Sequence, residues 1–314
     1  MTDENDSALP ATYAWNDSLH FYLRKLQRHP KYLATKRGLR SARTALPTAW
    51  RRATQSSRQL PGAIIVGAAK AGTTQLFAYM LSHPRCFGPI QKEIHYFSFW
   101  HDHGLPWYRA QFPLQRRVGR VRGIALEASP SYLPEADALR RMHDLLPDAA
   151  VIAILRDPVA RAFSHYQHQR TRRREPRSFQ EVVRTTVQRS GGSSAESPPE
   201  IKYVANGYYA RQLEALLQIY PREQVLILDS DDLFDDTNRV CQQVFAFLGL
   251  EPCDVQPDKI YNRGFYRETM DEATRELLRE HYRPYDERLV QLTGRRFRWM
   301  DAEGGCTART SEAA

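Results

Sequence analysis

Two kinds of apolar pattern alternate along the chain. The first is the short continuous run. GAIIVG, Gly62 to Gly67, and the start of AAVIAILRDP, Ala149 to Leu155, are apolar throughout and rich in Ile and Val. Runs of that length predict strands buried on both faces, the second stopped at Asp157-Pro158. QVLILDSDDL predicts a third strand and Arg122 to Leu126 a fourth. The second pattern is helical. TTQLFAYMLSHP predicts a helix ending before Pro84, and ADALRRMHDLLP, ARAFSHYQHQR and TNRVCQQVFAFLGL predict three more, the last closed by Gly249. MDEATRELLREHYRPYDERLVQL predicts a long charged helix broken near Pro284. Strands alternating with helices imply an α/β fold of three layers, a central, mostly parallel sheet flanked by helices.

The ends of the chain read differently. Residues 1–17 are polar. Between His20 and Arg58 stand eleven Arg and Lys residues, from Arg24 to Arg58, and no acidic residue. Phe21, Leu23, Leu26, Leu39, Leu46 and Trp50 are scattered among them. This segment reads either as a basic amphipathic helix for an anionic membrane surface or as a solvated helical appendage. The expected organisation is a basic N-terminal segment over 1–60, a folded domain over 61–302 and a disordered tail over 303–314. Arg189 to Glu200, RSGGSSAESPPE, predicts a mobile loop.

Composition narrows the partners. A length of 314 residues with 42% hydrophobic content buries a sizeable core. A net charge of +9 favours anionic partners. The four cysteines, Cys86, Cys241, Cys253 and Cys306, have neither CxxC nor metal-ligand spacing, and read as reduced thiols. The acidic start MTDENDSALP is unlike a signal peptide, and no apolar run has membrane-spanning length. The expectation is a cytoplasmic protein, peripheral at a membrane if the basic segment docks there.

Between the first strand and helix lies GAAKAGTT, Gly67 to Thr74. A strand, a glycine turn and a helix N-terminus make an anion site of converging N–H groups. Gly67 and Gly72 have the spacing of the ATP and GTP loop, GxxxxGK[ST]. The residue after Gly72, however, is Thr73, and the lysine is displaced to Lys70. Arg156, at the end of the AILR strand, and Ser164, two helical turns on, supply a second phosphate contact. Together the elements suggest a nucleotide with phosphates at two places. A magnesium-dependent kinase and a non-catalytic binder of anionic lipid or nucleic acid remain open on these residues.

At this point the chain resembles the sulfotransferases that use 3′-phosphoadenosine 5′-phosphosulfate, especially the heparan sulfate type and its bacterial relatives. AKAGTT is similar to their 5′-phosphosulfate loop and LRDPVARAFSHY to their 3′-phosphate element. QKEIHYF followed by GLPWYRAQFP resembles their catalytic segment, and LEASPSYL, RGFYRE and LTGRRFRW resemble further landmarks. The likeness runs from about Pro61 to Met300. It implies a P-loop-type fold and donor contacts from Lys70, Ala71, Gly72, Thr73, Thr74, Arg156, Ser164 and Tyr266. No metal is expected, since Lys70 and the helix dipole supply the positive field; no nucleic-acid partner is expected either. Two departures stand out. Ala128 occupies a position where heparan-type enzymes usually carry lysine, and the loop after Tyr266 is short, leaving Arg263 and Arg267 as substitutes for its basic residues.

Sulfuryl transfer needs a base for the acceptor proton and a cation for the leaving oxygen. The resemblance gives Glu93 as base and Lys70 as the cation. If residues 93–95 are extended, Glu93 and His95 face the same way, and His95 orients the acceptor or Glu93. The acceptor is expected to bear a hydroxyl on a carbohydrate, natural product or lipid. Its pocket is expected in loops over Gly104–Arg122 and Gln169–Val204.

Overall fold

The computed structural model describes residues 49–172, 175–190, 202–256 and 269–301. The chain divides into two compact units, Met1–Thr54 and Gln55–Ala314. Of the first, only residues 49–54 are described, and 49–53 are helical. The loop at Arg189–Glu200 and the C-terminal tail expected from composition lie outside the described residues, apart from the helical backbone at 189–190.

The second unit is built on a parallel sheet of five strands: β1 (Ala63–Gly67), β2 (Cys86–Phe87), β3 (Ile124–Ala128), β4 (Ala150–Leu155) and β5 (Val225–Asp229). Their order is β2-β3-β1-β4-β5, and every described pairing is parallel. The central strands are buried along nearly all their length, Ile64, Ile65, Val66 and Val151–Leu155 at 0% exposure, because helices cover both faces. Helix α1 (Thr73–Ser82) follows β1 and packs with Thr237–Phe247. Ala136–Leu145 packs with Tyr209–Ile219. Right-handed crossovers put these two groups on opposite faces. The chain leaves β1 towards β2 and leaves β4 towards β5, so the connections diverge between two adjacent strands. A crevice opens at the carboxyl ends of strands at such a point.

Three expectations need correction. The helix at Glu272–Thr293 runs unbroken through Pro284. Its capping is strong at both ends: Asp271 accepts from the Thr274 N–H at 2.9 Å, and Gly294 closes it at φ +66°. Its inner face buries Leu278, Tyr282 and Leu289, which offsets one missing backbone bond. The strand expected at Arg122 begins two residues later, because Gly123 must lie bare against Arg85 O, 2.6 Å from where its Cβ would stand. Much of the two expected loops is helical, at Gly104–Arg109, Gln115–Gly119, Phe179–Ser190 and Lys202–Ala205.

Candidate active site

The turn after β1 is shaped by its glycines. A Cβ on Gly67 would stand 2.7 Å from Leu133, and Gly72, capping α1, sits at φ +94°. Between them Lys70 adopts φ +72°, a conformation that costs an L residue free energy and is held only where its surroundings demand it. Ala71 and Thr73 are buried, and Gly72 and Thr74 are partly exposed at the helix start. Arg156, at the end of β4, donates from Nη1 to the Lys70 carbonyl at 3.1 Å. Its own carbonyl accepts from the Tyr209 hydroxyl at 2.9 Å. The two expected phosphate elements are thus tied directly across the divergence point. Asp157 caps the next helix, Pro158–Thr171, by accepting from the Val159 N–H at 2.9 Å. Ser164 is buried on that helix.

The segment bearing Glu93 is not extended. Glu93 and His95 sit at φ +64° and +55°, with Ile94 buried between them. The end of β3 imposes this path. The Glu93 N–H donates to Ala128 O at 3.0 Å, and the His95 N–H to Ser129 Oγ at 3.0 Å. The two side chains still meet, Glu93 Oε2 lying 3.7 Å from His95 Nε2. His95 Nδ1 is 2.7 Å from Ser131 Oγ, which is 2.7 Å from Ser98 Oγ. Lys92 Nζ reaches Glu93 Oε1 at 2.9 Å and Thr73 Oγ1 at 3.5 Å. It therefore joins the Glu93 segment to the turn after β1.

Electrostatics follow from this crowding. Burial, then the Arg156 charge, lowers the Lys70 pKa, with Arg172 and Lys92 adding to the effect and Glu93 opposing it. Burial is the strongest influence on Glu93 and disfavours its charge. Contacts from His95 and Lys92 overcome it and hold the carboxyl well below the usual carboxylate range. Beneath the segment, Glu127 is fully buried. It accepts from Ser129 Oγ at 2.8 Å, from Tyr132 at 2.6 Å, and from Tyr108; burial pushes its pKa up. Facing the loop, His165 is pushed down to about 3 by burial and by the charges of Arg161, His168 and Lys70.

The structure therefore brings together Lys70, Gly72, Thr73, Glu93, His95 and Arg156, and Tyr266, Arg263 and Arg267 lie outside the described residues. Sequence reasoning passed over Ser131, gave Glu127 no role, and read Lys92 only as a surface partner of Glu93. A carboxylate inside the otherwise apolar IALEA strand was the available signal for Glu127; nothing in the local pattern marks Ser131. Among the described residues, no cluster of His, Cys, Asp and Glu has metal-holding geometry. No described helix is long and apolar enough to cross a membrane. Cys86, Cys241 and Cys253 are free thiols.

Residues 60–283 match the sulfotransferase domain family. The mouse heparan sulfate glucosamine 3-O-sulfotransferase 3A1 is 30% identical over 268 residues, covering 78% of this chain and 66% of the relative. The human bifunctional heparan sulfate N-deacetylase/N-sulfotransferase 3 is 34% identical over 209 residues, covering 62% of this chain and 23% of that protein. The chain thus spans just under two thirds of the length of the first of these relatives. A sulfotransferase from Alicyclobacillus acidocaldarius is 31% identical, with a TM-score of 0.59, covering 76% of this chain and 97% of that one.

Proposed function

The chain belongs to the sulfotransferase family, and on that premise we propose that it moves a sulfuryl group from 3′-phosphoadenosine 5′-phosphosulfate to a carbohydrate hydroxyl. The observation that carries the reading is the tie between the two phosphate elements, Arg156 to the Lys70 carbonyl, beside a carboxylate that Lys92 links to the same loop. The carbohydrate class rests on the heparan sulfate relatives.

In this reading the loop from Lys70 to Thr74 holds the 5′-phosphosulfate, and Arg156 and Ser164 hold the 3′-phosphate. Glu93 takes the acceptor proton as the acceptor oxygen bonds to sulfur. The bond from sulfur to the bridging oxygen breaks, and its electron pair stays on the phosphate, where Lys70 faces the developing charge. A carboxyl held far below the operating pH is ionised but weakly basic. His95 and Lys92 both hold it down; Lys92, turning from Glu93 to the anionic donor, relieves one of these contacts and raises the basicity of Glu93 when donor is bound. His95, held from Ser131, orients Glu93. A kinase reading is not favoured, since Thr73 stands where a triphosphate loop needs lysine.

Incubation with donor labelled in its sulfate and a panel of neutral and acidic oligosaccharides, read by product mass spectrometry, tests the reading. A product heavier than the acceptor by a labelled sulfuryl group is expected. Turnover of ATP with no sulfated product overturns it.

A further inference from the structure

Beside Glu93 the protein exposes aromatic rings that the donor chemistry does not use. Phe99 is 60% exposed and Trp100 48%. Large apolar side chains at such exposure, grouped next to a reactive centre, mark a ligand surface. Phe99 is not remote from the chemistry: its ring lies 5.3 Å from that of His95, whose Nε2 is 3.7 Å from the Glu93 carboxylate. From Phe99 the surface continues along the chain. Trp100 meets His103 edge-on at 5.2 Å, and His103 meets Trp107 at 4.7 Å.

The rings are also held in place. On the same segment Tyr96, 4% exposed, stacks on Tyr108 at 4.3 Å and 13° and lies 6.3 Å from the Trp107 ring. Tyr108 in turn is anchored on the buried Glu127. The Phe99 and Trp100 N–H groups both donate to His95 O, at 2.8 and 3.1 Å, so the turn that places His95 also sets the two exposed rings. A rigid aromatic surface binds a flat partner with little loss of conformational freedom. It offers no charge to a sulfate or carboxylate. It offers dispersion and C–H contacts to an apolar face.

The geometry points to an aromatic surface of Phe99 and Trp100, set by the His95 turn, that receives the flat apolar face of the acceptor next to its reacting hydroxyl. The short spacing from His95 to Phe99 limits that face to the ring bearing the hydroxyl or a ring attached to it. It is the C–H face of a pyranose or an aryl group. This rests on the proposed sulfuryl transfer and adds the acceptor class: a neutral, flat-faced glycoside.

Saturation-transfer NMR on the full chain loaded with adenosine 3′,5′-bisphosphate tests it, with methyl β-D-glucopyranoside and phenyl β-D-glucopyranoside as probes. Transfer to the pyranose C–H protons of both probes identifies the sugar face as the partner, and transfer to the phenyl probe alone identifies the aryl group. In either case Phe99→Ala and Trp100→Ala weaken probe binding about fivefold or more, and Phe99→Tyr retains it. Bisphosphate affinity stays within about twofold in all three variants, since the aromatic surface lies on the acceptor side. No transfer to either probe, or binding unchanged in both alanine variants, overturns the aromatic acceptor surface while leaving the donor site intact. Failure of the bisphosphate to bind overturns the sulfotransferase reading instead.

Discussion

At the scale of single residues, the account depends on three side chains held at positive φ, Lys70, Glu93 and His95. Replacing Glu93 by Gln keeps its shape and removes its basicity. We expect kcat to fall roughly 10²–10⁴-fold, the range of positioned acid–base catalysis, with donor affinity within about threefold. Single-turnover transfer with donor saturating gives the comparison, and a wild-type rate removes Glu93 from the chemistry. Arg156→Ala leaves a phosphate unpaired and is expected to lose about 2–4 kcal/mol of adenosine 3′,5′-bisphosphate binding by calorimetry. His165 gives a pH signature. Its folded pKa of about 3 lies below the ordinary 6.5, so the folded protein keeps it neutral and the unfolded chain binds its proton first. The stability from this group is complete above pH 6.5 and lost as pH falls towards 3. Between pH 8 and 5 the wild type should lose up to about 2 kcal/mol more than His165→Gln in urea denaturation; parallel pH slopes contradict it. Lys70 and Glu93 were legible in the sequence because each stands in a compact local pattern. Lys92 was legible as a neighbouring charge able to pair with Glu93, and Ser131 was not, because backbone turns at residues 93 and 95 decide which atoms meet.

At the scale of elements, legibility followed burial. β1, β4 and β5 were readable as unbroken apolar runs, because a strand covered on both faces has little room for polar residues. β2, two residues long, carries too little pattern to be read. The helix at Gly104–Arg109 is also too short to show a helical period. Pro284 misled for a different reason. A local rule marks proline as a break, whereas Leu278, Tyr282 and Leu289 hold both halves of the helix to one buried face. The close approach of Tyr282 to Gly207, where a Cβ would lie 2.7 Å from the hydroxyl, is part of that grip. Pro284→Ala restores a backbone N–H to a continuous helix. It is expected to raise unfolding stability by about 1–2 kcal/mol, less than the full interior-proline penalty because the unfolded chain also gains freedom. No gain in urea denaturation would mean that the helix is not continuous there.

At the scale of the whole molecule, a parallel sheet brings residues 70, 156 and 93, to which the proposal gives the donor loop, the second phosphate element and the acceptor-side base, to the carboxyl ends of its strands. The division between the two compact units falls after Thr54, inside the basic stretch. Arg58 lies beyond it, is 2% exposed and donates to Phe112 O at 2.7 Å. A chain beginning at Gln55 is therefore expected to fold and keep wild-type donor affinity. One beginning at Gln59 removes that buried hydrogen bond and should lose about 1–3 kcal/mol of stability. The central claim is that the displaced lysine and the Lys70–Arg156 tie form a site for a nucleotide phosphorylated at both 3′ and 5′ positions. Titration calorimetry with adenosine 3′,5′-bisphosphate and with ATP, each with and without EDTA, tests it most directly. The account predicts that the bisphosphate binds more tightly than ATP and that EDTA leaves its affinity unchanged. Tighter binding of ATP that disappears with EDTA would contradict it.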